Sequence, residues 1–240
     1  MDFQYSNKYF KATGLIAKIG VGILAGGIIL FIIIAVLTHP MPAIFTAGWF
    51  IIAGIVMMIF GKSGNMTDAE FDEQSVKATA RIIDKVMNKF GVEDKHIKMF
   101  DPIILSGYEY KDDASYMFKR GNDGKYRSNN HITAVLLFGP QIMYLYIYEL
   151  HLTDESNPES EFMEKYKYTD LSDVSINDKK VSIKLKEKDV NIDFSVFELK
   201  KNGGEVLVSV PSQNDAIMDG KISDVNKYII KAKKQAEANQ

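Results

Sequence analysis

Four basic side chains, Lys119, Arg120, Lys125 and Arg127, crowd around the turn Asn122-Asp123-Gly124. Beside an anionic leaflet each would contribute ~1 kcal/mol, so together they form a candidate lipid or partner contact. The same pattern suits a solvated hairpin whose lysines protect an edge strand. A second candidate is the strip Tyr144, Tyr146 and Tyr148. Tyrosine offers area and one hydrogen bond, which makes an outward-facing strip a partner platform. The strip packs against the preceding helix if the sheet is covered there.

Groups suited to catalysis or metal binding are sparse. Gly61-Lys62-Ser63 imitates the end of a phosphate-binding loop, but Val56 stands where that motif needs glycine, and a long apolar run precedes it. His39, His96, His131 and His151 lack the close spacing of a metal motif, although His131 and His151 flank one predicted hairpin. Asp112 and Asp113 with Glu109 form an acidic cluster without a nucleophile beside it. Gly-x-Ser-x-Gly and His-Glu-x-x-His do not occur. With no cysteine, thiolate chemistry and disulfides are excluded. The expectation is a protein that is not an enzyme, with no catalytic residue, no metal and no cofactor.

These residues must be positioned by two different kinds of segment. Ile19 to Leu37 and Ala43 to Phe60 are uncharged runs of nineteen and eighteen residues. At ~1.5 Å per residue each spans ~27–29 Å, close to a bilayer's hydrocarbon core. The connection Thr38-His39-Pro40-Met41-Pro42 is short, so the runs form an antiparallel transmembrane hairpin over 19–60. The first run is too long for a signal-peptide core and has a second span straight after it, so it reads as an uncleaved anchor. Lys8, Lys11 and Lys18 precede the spans, Lys62, Lys77 and Arg81 follow them, and the turn has no basic residue. That bias places both termini in the cytoplasm of a multi-pass cell-membrane protein.

Gly22 and Gly26 form a smooth strip on the first span. Either Ala47, Ala53 and Gly54 fill it within the hairpin, or it packs on a second copy or another membrane protein.

The chain carries 29 basic and 31 acidic residues, and all but three of the former and one of the latter lie after residue 60. The soluble part is therefore mildly acidic, which disfavours a nucleic-acid partner.

Thr67-Asp68-Ala69-Glu70 has the form of a capping box. Phe71, Val76, Ala80, Ile83, Met87 and Phe90 predict one amphipathic helix over 68–90, stopped by Gly91. From Pro102 the period becomes two. Gln141 to Leu150 reads as one strand, with Met143, Leu145 and Ile147 as its core face and the tyrosines opposite. Further strands lie at 181–185, 190–196 and 206–210, with turns at Asn122-Asp123-Gly124, Gly139-Pro140, Asn177-Asp178, Lys188-Asp189 and Asn202-Gly203-Gly204. Residues 153–161 read as a polar loop. Ile222, Val225, Ile229, Ala232 and Ala236 make the apolar stripe of a final helix. The predicted fold class is α+β: an antiparallel meander closed by a C-terminal helix.

That order resembles the bacterial pleckstrin-homology-like superfamily over residues 103–236. The stretch ITAVLLFGPQIMYLY (132–146) is similar to a hairpin of those proteins in which an apolar strand turns into an aromatic one. EKYKYTDLSDVSI (164–176) is similar to the strand that follows. Gly139-Pro140 stands where many relatives have a polar turn, and the acidic loop is longer than theirs. The resemblance implies a β-barrel closed by the last helix and a binding or scaffold role, often at membranes; it also favours headgroup contact by the basic hairpin.

The expected organisation is a cytoplasmic segment 1–18, the hairpin 19–60, a juxtamembrane helix and linker 61–101, and the β domain 102–240. The functional expectation is a membrane-anchored scaffold or adaptor with a protein partner. Its alternatives are an anionic-lipid-binding module and an accessory subunit of a transporter or secretion machine.

Overall fold

The structure is a computed structural model that describes residues 2–10, 15–37, 40–62, 66–92, 100–111, 115–184, 189–212 and 215–238. The readings made of Lys11, His39, Ser63, His96, Asp112, Asp113 and Lys188 lie outside the described residues. The chain forms two compact units, 2–71 and 72–240.

The first unit begins with α1 (Phe3–Phe10), followed by α2 (Leu15–Leu37) and α3 (Pro40–Lys62). Both long helices exceed the uncharged runs. Pro40 and Pro42 fall in the first turn of α3 and not in a loop, where the missing N–H has no intrahelical partner to lose. The two helices are long and apolar enough to cross a membrane. Their large side chains stand on the outer surface of the helix pair: Val36 is 79% and Trp49 73% exposed. Small residues let the backbones meet. A Cβ on Gly54 would lie 2.7 Å from the Leu24 nitrogen, and one on Gly20 2.9 Å from the Gly54 carbonyl oxygen. Around Gly22 and Gly26 the space is open, so Gly54 closes on Gly20 and Leu24 while the predicted strip stays outside the hairpin contact.

The capping box is present. The Thr67 N–H and hydroxyl both donate to Glu70 Oε2 at 2.8 Å, and Glu70 N–H donates to Thr67 Oγ1 at 3.2 Å. It opens α4 (Asp68–Thr79), whose first turn meets α1. Tyr9 stacks on Phe71 at 4.3 Å and its hydroxyl donates to Asp68 Oδ1 at 2.8 Å.

The single helix predicted over 68–90 is two helices. Arg81 adopts φ 62°, a left-handed conformation that ends α4 and starts α5 (Ile82–Phe90). The break re-aims the apolar stripe: Val76 and Ala80 are exposed, while Ile82 and Val86 are buried. Gly91, at φ 63°, stops α5 as expected.

The rest of the second unit is two antiparallel sheets, a hairpin and a helix. The four-stranded sheet runs β1 (Ile103–Tyr108), β4 (Asn130–Phe138), β5 (Ile142–His151), β6 (Glu159–Lys167). Between β1 and β4 the chain makes the separate hairpin β2 (Phe118–Arg120) and β3 (Tyr126–Ser128). After a 3-10 turn at Tyr168–Asp170 comes the sheet β7 (Leu171–Lys184), β8 (Asp189–Lys201), β9 (Val206–Ser212). The final helix is α6 (Asp215–Ala238).

Two sequence boundaries move. β7 runs straight through Asn177-Asp178, which pair with Val196 and Ser195, because the β8 ladder overrides a local turn signal. β6 starts at Glu159, so the polar loop is shorter than predicted.

The core lies between the sheets and α6. Leu136 and Phe138 of β4 face Leu145 and Met143 of β5, and Phe197, Val210, Val225 and Ile229 complete the cluster. β9 passes beside β1. Among the described residues no ladder joins the two sheets, so they are open sheets packed with a helix.

Candidate functional site

The tyrosine strip is not an open platform. Tyr146 and Tyr148 are buried, and α5 lies over that face of β5. Lys85 Nζ sits 4.4 Å above the Tyr148 ring, and Phe90 meets Tyr144 at 5.1 Å. Lys85 and Lys89 both pair with Glu161 of β6, the first at 2.7 Å. Hydrogen bonds from Lys85 and then Lys89 hold the Glu161 carboxyl down at about 2. Burial pushes the Tyr146 phenol up to about 12.

The basic hairpin is also rearranged. Arg127, the middle residue of the short strand β3, is only 3% exposed. Its Nε donates to Asp72 Oδ1 and its Nη2 to Asp72 Oδ2, both at 2.7 Å. Nη1 and Nη2 also donate to Asp123, at 3.0 and 2.7 Å. These bonds hold the Asp123 carboxyl well below its usual range. The turn Asn122-Asp123-Gly124 therefore serves the guanidinium, with Gly124 at φ 81° allowing the reversal. Lys119, Arg120 and Lys125 remain as the outer cations; Arg120 Nε donates back to the Gly124 carbonyl at 3.2 Å.

Arg127 thereby fixes one wall of a cleft of ≈ 360 Å³. Asp72, Ser75 and Val76 of α4 form that wall, and Ser106 and Tyr108 of β1 the floor. Tyr108 donates to Asp72 Oδ1 at 2.8 Å, and Ser75 Oγ stands 3.4 Å from the same phenol. His131 of β4 pairs with Tyr108 across the ladder, its ring edge-on at 5.3 Å. Burial lowers the His131 pKa to about 4, against a smaller opposing pull from Asp72, so the imidazole is neutral at pH 7. Its Nδ1 has no hydrogen-bond partner among the described residues.

α6 closes the far side with Ile217, Met218 and Lys221. Lys221 Nζ crosses to donate to the Ile104 carbonyl at 2.7 Å, and burial lowers its pKa.

Other predicted residues lie apart. His151 engages the Asn130 side chain and does not join His131. Glu109 takes hydrogen bonds from Tyr116 at 2.8 Å and Lys111 at 2.7 Å.

The sequence reading missed Asp72, Tyr108 and Lys221 as a set with Arg127. The one local signal was Ser106-Gly107, which interrupts the apolar alternation of β1 just where the floor of the cleft lies. Chemically the cleft offers hydroxyls, ammonium groups and a neutral imidazole for binding.

Comparison of the chain with protein-family models, with curated proteins and with solved structures finds no match in any of the three.

Proposed function

We propose that the protein is a non-enzymatic membrane-anchored adaptor, in which α2 and α3 hold the chain in the bilayer and residues 72–240 form a binding module. The observation that carries this reading is the direction of the hairpin's bulk. Its large apolar side chains face outward, where only lipid would accept so many without cost. The basic bias on either side of the spans supports both termini in the cytoplasm of a multi-pass cell-membrane protein.

The finer fold reading is a pleckstrin-homology-like domain. Without the β2–β3 hairpin, the order is four antiparallel strands, three antiparallel strands and a closing helix. Partner binding follows from that class of fold. The open strip at Gly22 and Gly26 gives the anchor a face for a second copy or a larger membrane assembly.

A second reading, anionic-lipid binding by the hairpin, rests on Lys119, Arg120 and Lys125. Arg127 is withdrawn from it by Asp72 and Asp123.

A cysteine at Ser6 or Ser212 should resist an impermeant thiol reagent in sealed cells, while one at His39 labels. The chain should also stay with the membrane on carbonate extraction. Release by carbonate would sink the anchor, and labelling at Ser212 would invert the topology.

A further inference from the structure

We infer that the cleft between α4, β1 and α6 binds a single oxyanion carried on an aliphatic chain, with Lys221 and Lys125 as its counter-charges. This deepens the binding-module reading and rests on it.

Lys221 is the central observation. It is half-buried, and its ammonium reaches over the cleft to the Ile104 carbonyl. That bond uses one of its three N–H groups. No carboxylate pairs with it among the described residues, and its pKa is lowered by burial alone. A half-buried ammonium facing a cavity without a counter-ion is a costly arrangement that a bound anion would relieve.

Charge counting sets the class of ligand. Arg127 is spent on Asp72 and Asp123 together, so that triad carries one negative charge. Lys125 and Lys221 add two positive charges, and His131 is neutral at pH 7. The cleft is left with a single positive charge, which suits a phosphodiester or a carboxylate and disfavours a multiply phosphorylated headgroup.

The remaining lining sets the rest of the molecule. Val76 and Ile217 line the cleft on α4 and α6 and are 66% and 56% exposed. Two exposed apolar side chains beside two lysines fit an aliphatic chain leaving an anionic end. Ser106 and Tyr108 on the floor can share the oxyanion's hydrogen bonds.

The test uses the full chain in phosphatidylcholine nanodiscs. Three soluble probes are titrated: dioctanoyl phosphatidylglycerol, decanoate and inorganic phosphate. Binding is read by calorimetry, and by protection of Lys221 from an amine-acylating reagent, mapped by mass spectrometry. At least one of the two chain-bearing anions should bind and protect Lys221, and which one does so identifies the source. Lys221→Gln should weaken that binding about tenfold, the value of one charge-assisted hydrogen bond, and Lys125→Gln should weaken it less. Lys221→Arg should retain it and Lys119→Gln should leave it unchanged.

Equal binding by wild type and Lys221→Gln overturns the inference, as does binding of neither amphiphile. Inorganic phosphate binding as tightly as the amphiphiles overturns the aliphatic part. If Lys221→Gln does not fold, protection of Lys221 in the wild-type chain decides. None of these results touches carbonate extraction, so the anchor and the cleft fail separately.

Discussion

The α2–α3 hairpin and the β domain are built inside out from one another. In the hairpin glycines meet backbone to backbone, at Gly20, Gly27, Gly54 and Gly61, while Ile, Phe and Trp side chains stand exposed. In the β domain Phe138, Phe197, Leu145 and Ile229 meet in the interior. Its polar groups are tied across elements, as Arg127 ties α4 to the β2–β3 hairpin. Where water is the solvent, burying bulk drives folding, at about 25 cal/mol per Å². Where lipid is the solvent that drive is absent, and close van der Waals approach takes its place. An outward-facing bulk is what the proposed lipid setting of the hairpin requires, and an inward-facing bulk is what water requires of the β domain.

The comparison breaks most sharply with one substitution made in both regions. Ile229 is 2% exposed in the core, and Ile229→Asp places an unpaired carboxylate among apolar neighbours. A loss of more than ~4 kcal/mol is expected, enough to abolish cooperative melting of the β domain. Ile29 in the middle of α2 is 59% exposed. In water, Ile29→Asp would cost almost nothing; at a bilayer centre it costs about 2.5–3.5 kcal/mol. Loss of membrane retention by Ile29→Asp supports the lipid reading, and an indifferent variant refutes it. If Ile229→Asp melts like the wild type, α6 is a free arm and not part of the core.

The next effect belongs to the β domain alone. Burial lowers His131 from 6.5 to about 4 in the folded state. The unfolded chain therefore binds more protons than the folded one between those values, and stability rises with pH across that window. On acidification from pH 7 to 4 the imidazole's share of stability is lost, up to about 3 kcal/mol for a shift of this size. His131→Asn should flatten the fall in Tm between pH 6.5 and 4. A full-length chain whose pH profile is the same with and without His131 would show the imidazole to be solvated.

A smaller effect separates the two glycine faces of the hairpin. Gly54→Leu sets a side chain against the Leu24 backbone and should cost ~1–3 kcal/mol, the usual range for overpacking. Gly22→Leu enters open space and should leave the hairpin intact. Cross-linking of cysteine pairs placed on α2 and α3 measures both. If Gly22→Leu instead removes an associated protein or a second copy, the open strip is an interface.

What was legible in the sequence follows from the same contrast. The two long apolar helices, the capping box at Thr67, the β5 alternation and the Ile222-Val225-Ile229 stripe are periodic and local, so they can be read along the chain. The end of α4 could not be: Arg81 takes a left-handed conformation without glycine, so no residue type marks the break. The strand through Asn177-Asp178 exists because β8 pairs with it. Along the chain the four cations at the hairpin form one cluster around the turn. Arg127 meets Asp72, 55 residues away in sequence, and no local pattern announces that pairing. The cleft draws on α4, β1, β3, β4 and α6, so it becomes visible only when they are assembled.

The smallest effect asks whether α5 is held by charge or by bulk. Lys85 and Lys89 both reach Glu161, and the carboxyl is lowered from 4.5 to about 2. Its contribution is therefore present above pH 4.5 and is lost as the pH falls toward 2. Both lysines are more than a third exposed, so solvent screens the pairs and each is worth ~0.2–1 kcal/mol. Beneath them Ile82 and Val86 are buried, and Tyr146 and Tyr148 are covered. Burying such apolar area outweighs two screened ion pairs, so Glu161→Gln should lower Tm only slightly and leave the tyrosines protected. Val86→Asp should release α5 and expose the tyrosines to iodination or nitration while the rest of the domain stays folded. Exposure of the strip by Glu161→Gln alone would make α5 an electrostatically latched cover. The tyrosines would then regain the role of a platform, one that opens when its latch is broken.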